Sequence, residues 1–259
     1  VIVAQTNLQL FRQLDAAGWS NHDRQRVIDA YALIAELHAG QYRASGKTFV
    51  AHLCGTASIV QATGGTVDQT LAALLHAAYD QGDFGDGRRV RTSRKQAEVR
   101  EAIGPDAEAL VVQYSDWPWR TRLPALLDGR PDVFADWERT VAFVRLANEV
   151  EERVDGADDY APEHAAIVFP LGDVARCARR LGWEALAAFT EAIADANPTD
   201  VTPAALRTTT LASGTVVPRS MSTRLWVRGT GEQSLLRRAV RLAPGARRVV
   251  YSWRRWRPE

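Results

Sequence analysis

Wound as a helix, the stretch Leu71-Ala72-Ala73-Leu74-Leu75-His76-Ala77-Ala78-Tyr79 is apolar around nearly its whole circumference. Such an element has no face to offer water, so it belongs at the centre of a core with other elements wrapped around it. The sequence on either side supplies those wrappers as further helices. Thr6 or Asn7 can cap a segment with Leu8, Leu10, Phe11 and Leu14 on one face, which stops at Gly18. Ser20 or Asn21 opens a longer one, with Val27, Ile28, Tyr31, Ile34, Ala35 and Leu37 at helical spacing as far as Gly40. Phe49 to Val60 follows, Gly64-Gly65 ends it, and Thr66 caps the central apolar helix. Beyond a charged, glycine-rich loop at 82–92, helical periodicity resumes at Ser93–Ile103, Asp106–Tyr114, Val133–Arg153, Ala165–Leu181 and Trp183–Ala196. Strand-like alternation is confined to Leu211–Val217 and is weak. The expected fold is all-α, a helical bundle.

A chain of 259 residues can bury a sizeable core, and 46% hydrophobic with 24% charged residues is ordinary for a globular protein. Cys54 and Cys177 lie far apart without metal-type spacing and read as reduced core thiols of a cytoplasmic protein. No stretch of about 18 apolar residues is present to span a membrane. Val1-Ile2-Val3-Ala4 is too short for a signal peptide and lacks its basic flank.

The net charge of +1 conceals an asymmetry. Residues 219–259 carry eleven arginines and two glutamates, a net +9, which leaves −8 for everything before them. This divides the chain into a helical body at 1–197, a linker at 198–218 rich in Thr, Pro and Ser, and a basic Arg/Trp-rich extension at 219–259. Leu235–Leu242 and Arg247–Arg257 are short amphipathic pieces separated by Pro244-Gly245. Arginine with tryptophan on such pieces suits an anionic membrane surface, placing the protein peripherally at the inner membrane face. The same composition serves nucleic acid less well, and the leading reading is packing on the acidic body, +9 against −8, or on another copy. Oligomeric state is open.

Three stretches carry chemistry together: Glu36–His52, containing His38, Arg43, Ser45-Gly46, Lys47 and His52; Thr70–Asp80, containing His76; and Val144–Val150, containing Leu146-Ala147-Asn148-Glu149. Their order and spacing resemble the hydrolase domain of the RelA/SpoT alarmone enzymes, a branch of the HD phosphohydrolase superfamily, over roughly residues 25–155. That family shows a histidine on a helix, an arginine, Ser-Gly and a ligand histidine, then an apolar run ending in His-Asp, and later Leu-Ala-Asp. The resemblance implies an HD-domain-like bundle in which His52 and His76 hold a divalent metal that acidifies a water and neutralises phosphate charge. It also implies that Arg43, Ser45 and Lys47 contact a purine nucleotide.

Two expected carboxylates are missing. Ala77 stands where the family has the Asp of His-Asp, Asn148 stands where it has the second ligand Asp, and an acidic pair further on becomes Asp80-Gln81. These departures argue against a standard alarmone hydrolase, since hard cations are held largely by ligand charge. Three readings stay open. A rebuilt site would hold Mn, Fe or Zn with His52, His76, Asn148 and a carboxylate such as Glu149, Glu152 or Asp80. A metal-free site would use His52, His76 and Asp80 as acid, base or hydrogen-bonding groups. A regulatory pocket would bind a ligand without turnover. The leading expectation is an enzyme acting on a nucleotide or another phosphorylated or anionic metabolite. The alternative is a non-catalytic ligand-binding protein with a membrane- or partner-directed tail. Trp117-Pro118-Trp119-Arg120 is a candidate aromatic lid, and Glu151 with Glu152 reads as a solvated helix face.

Overall fold

The computed structural model describes residues 2–43, 45–86, 88–155, 169–196 and 214–215. The basic extension at 219–259 lies outside these residues, as does His164. Within them the fold is all-α with a two-stranded ribbon at one side.

Local signals account for most of the helix starts. Thr6 caps α1 (Asn7–Ala16) in a reciprocal capping box with Gln9, Ser20 caps α2 (Asn21–Leu37), and Thr48 caps α3 (Phe49–Ala62). Thr66 with Gln69 repeats the box at α4 (Val67–Leu75), where every residue from Gln69 to Leu75 is buried. The helix apolar all round is thus the centre of the bundle, packed on α3, on α2 and on α7 (Pro105–Asp116). Around it stand α6 (Ser93–Ile103) and the long α9 (Asp136–Glu151), which crosses both α3 and α4. A closing pair, α10 (Leu171–Arg180) and α11 (Glu184–Ala196), packs on α9. Cys54 and Cys177 are free and buried in this core.

Three features differ from the sequence expectation. The central helix does not run on to Tyr79: it stops at Leu75, and α5 (Ala78–Gln81) restarts after a kink at His76-Ala77. There His76 Nδ1 contacts the Ala73 carbonyl oxygen at 2.7 Å, and Ala77 takes φ −98°, ψ 3°, outside the helical well. A helix absent from the periodicity, α8 (Trp119–Leu127), forms despite Pro124 in its interior. Finally, a strand forms at Gln41–Tyr42, outside Leu211–Val217, the one stretch with strand-like alternation. Gly214–Thr215 (β2) pairs antiparallel with Gln41–Tyr42 (β1), so part of the segment after the body docks back on it.

The turn between α3 and α4 fixes the spacing of the helices that bear His52 and His76. A Cβ at Gly65 would stand 2.4 Å from Val60 Cγ1, 2.7 Å from the Val60 carbonyl oxygen and 3.0 Å from Phe143 Cε1. Gly65→Ala is expected to destabilise the protein by about 1–3 kcal/mol through overpacking, read as a lower urea midpoint with an unchanged m-value.

Candidate active site

The cleft opens where the kink after α4 meets the start of α8 and the C-terminal half of α9. It encloses about 240 Å³ and is lined by Arg43, Phe49, His76, Ala77, Asp80, Gln81, Tyr114, Trp119, Arg120, Arg145, Asn148 and Glu152. Of the expected site residues, His76, Asp80, Arg43 and Asn148 therefore share one cleft.

His76 is 4% exposed. With Nδ1–H donating to the Ala73 carbonyl oxygen, Nε2 carries the lone pair. Its ring lies 5.0 Å from that of Tyr114 and 5.3 Å, edge to face, from that of His52. Asp80 stands at the rim and accepts a hydrogen bond from Ser115 Oγ at 2.9 Å.

His52 lies behind the cleft, fully buried on α3. Its Nδ1 is bonded to Glu151 Oε2, and its Nε2 has no partner among the described residues. Glu151 and Glu152 are not a solvated face. Glu151 is 0% and Glu152 4% exposed, because α9 ends between α3 and the loop at 42–48. Glu151 accepts from Lys47 Nζ at 2.6 Å, and Glu152 pairs with Arg43. Room for the Glu151 side chain comes from Gly55, one turn after His52, where a Cβ would sit 2.5 Å from Glu151 Oε1.

Lys47 is accordingly turned inward to Glu151 and to Asp155 at 2.9 Å, and does not line the cleft. Ser45 occupies the turn in which the Gly46 N–H donates to the Arg43 carbonyl, and it too is absent from the lining. Of the residues expected to bind substrate, the structure brings Arg43 alone to the cleft. Glu149, expected among metal ligands, is engaged at both oxygens: Oε1 pairs with Arg145 Nη2 and Oε2 accepts from the Phe169 N–H at 3.2 Å.

Sequence reasoning missed Arg145 and Tyr114. Arg145 donates to the Tyr114 hydroxyl at 3.2 Å and lies 3.8 Å over the Trp119 ring. Its signal was its place one turn before Glu149, with Asn148 on the same helix face. Of the candidate lid, Trp119 lines the cleft, whereas Trp117 is buried and donates to Glu138 at 3.2 Å.

Burial pushes His52 and His76 well below the ordinary imidazole value, and the Arg43 and Arg145 cations push both the same way, with Lys47 adding to the effect on His52. Burial raises the Glu151 carboxyl to about 7 against the pull of Lys47. For Lys47, burial alone would lower the ammonium, but the Glu151 and Asp155 carboxylates hold it above its ordinary value.

A divalent metal does not fit these residues. Among the described residues, no group of three His, Cys, Asp or Glu side chains stands where it could hold an ion. The carboxylates of α9 near the imidazole pair are paired with Lys47, Arg43 and Arg145, and those cations would repel a second positive charge.

Residues 33–118 are similar to a family described as a domain of unknown function (DUF6817). No curated protein matches the chain. The matched stretch holds His52, His76 and Asp80 and stops short of α9, which supplies Arg145 and the three glutamates.

The buried histidines set a pH dependence. His38, 1% exposed, is lowered by burial to about 4, partly offset by its bond to Gln41. Below pH 6.5 the unfolded chain takes up protons on His38, His52 and His76 that the folded chain refuses, so their contribution is present above 6.5 and lost as pH falls. Glu151 has the opposite sign: its folded carboxyl is protonated near 7, its unfolded one near 4.5, so its contribution is lost as pH rises through that window. Three groups outweigh one, and the melting temperature is expected to fall from about pH 7 to about pH 5. His38→Gln should flatten the acid slope by about 1.4 kcal/mol per pH unit, one proton's worth, measured by denaturant melts across that range.

Proposed function

We propose that this chain is a small-molecule enzyme on a divergent HD-domain-like helical scaffold, acting on a nucleotide or another phosphorylated or anionic metabolite. The observation that carries the reading is the meeting, in one cleft, of a neutral buried imidazole, His76, with the guanidinium groups of Arg43, Arg120 and Arg145. An imidazole kept unprotonated at neutral pH, with Nδ1 fixed by a backbone carbonyl, is suited to accept a proton from a bound nucleophile or substrate hydroxyl. Guanidiniums orient phosphate or carboxylate oxygens through several N–H donors at once. The Trp119 ring, with Arg145 and Arg120 at 3.8 Å and 4.8 Å from its centroid, holds both guanidiniums at the cleft wall. Asp80 at the rim is placed to hold a hydroxyl or a water through its second carboxylate oxygen, which has no hydrogen bond among the described residues.

A second reading, a ligand-binding or regulatory protein without turnover, is favoured by Ala77 and by the commitment of the α9 glutamates to ion pairs. In that reading the Arg/Trp-rich extension directs the liganded protein to an anionic membrane surface or a partner.

The test is a thermal-shift panel of nucleoside mono-, di- and triphosphates and sugar phosphates, followed by product analysis for every stabilising compound. Turnover that drops at least about 100-fold in His76→Ala, with the circular dichroism spectrum unchanged, is the expected result. Stabilisation without product selects the second reading, and turnover indifferent to His76→Ala removes His76 from the chemistry.

A further inference from the structure

Three ion pairs surround the imidazole pair. Lys47 with Glu151 and Arg43 with Glu152 join the loop at 42–48 to the end of α9, and Arg145 with Glu149 runs along α9 itself. The carboxylates are buried and each is matched by a cation, so the negative charge that would attract a divalent ion is cancelled in place. The cations are less completely used. A guanidinium carries five N–H donors. Arg145 spends one on Glu149 and one on the Tyr114 hydroxyl, while its Nε is buried with no partner among the described residues. Its Cζ lies 3.8 Å from the centroid of the Trp119 ring, and Arg120, with no carboxylate partner among the described residues, lies over the same ring at 4.8 Å. Unmet donors, fixed in a cleft where Glu152 is matched by Arg43 and Asp80 stands at the rim beside Ser115, call for an acceptor-rich ligand.

Resting on the proposed function, we infer that the cleft is a metal-free anion site, in which Arg145 and Arg43 bind the phosphate or carboxylate group of the ligand directly. Lys47 serves it from behind by neutralising Glu151, which would otherwise present a buried negative charge beside His52. Asn148 and Ala77 suit this arrangement, since a neutral amide and a methyl at the cleft wall do not repel an anion as aspartates would.

The experiment uses the full chain purified without chelator or added metal, with inorganic phosphate and pyrophosphate as probes. Metal content is measured by elemental analysis, and anion binding by thermal shift and calorimetry with and without EDTA. Manganese and zinc are titrated separately. The expected result is far less than one equivalent of metal, no saturable binding of either ion, and an anion-induced shift that EDTA leaves unchanged. Arg145→Gln should weaken that binding at least about tenfold, as losing a charge-assisted bond does. A shift abolished by EDTA and restored by manganese or zinc overturns the metal-free site while leaving an anionic substrate in place. No shift from either anion under any condition overturns the anion site and takes the anionic substrate from the proposed function with it. An unchanged affinity in Arg145→Gln removes the anion from this cleft.

Discussion

The Glu151 carboxylate, buried at the C-terminal end of α9, is the constraint on which the site depends. A carboxylate out of water costs several kcal/mol unless it is closely matched, and the negative end of a helix adds to that cost. Three features meet it together. Lys47 comes in from the loop before α3, His52 donates from α3, and Gly55 leaves the space that a methyl group would fill. The loop at 42–48, the histidine-bearing helix and the end of α9 are thereby held in one geometry, and none of the three can shift without exposing an unmatched charge.

The cleft follows from that arrangement. With the end of α9 pinned, Arg145, Asn148 and Glu152 face the kink at His76-Ala77, where the central helix gives up its regular bonding and His76 takes the Ala73 carbonyl. A helix buried on all sides tolerates such a break because α5 restarts at once and Tyr79 anchors it, its hydroxyl bonded to buried Glu108 at 2.8 Å. Two imidazoles with contrasting positions result. His76 reaches the cleft wall, and His52 is sealed behind it as part of the charge network. Both are kept neutral by burial and by the same cations that suit the cleft to an anion.

Much of the scaffold was legible because its signals are local. Thr6, Ser20 and Thr66 announced helix starts, Gly64-Gly65 announced a stop, and the apolar run at 71–75 announced a central helix. The same local logic misled where distant residues decided the outcome. Pro124 concealed α8, because a break in periodicity cannot reveal the packing that holds a helix together. Glu151 and Glu152 read as solvated because the side chains that bury and match them lie about a hundred residues earlier. Lys47 beside Arg43 read as a second ligand contact, and only the inward position of Glu151 turned it away from the cleft.

Sequence alone determined the all-helical class and the central position of the Leu71–Leu75 helix, because capping and periodicity act over a few residues. Tertiary structure alone decided which charges are spent on each other and which donors are left over. It set Lys47 against Glu151, Arg43 against Glu152 and Arg145 against Glu149, and left Arg145 Nε without a partner among the described residues. The reason is that the strength of an ion pair depends on separation and burial, and neither quantity is written in the order of the residues.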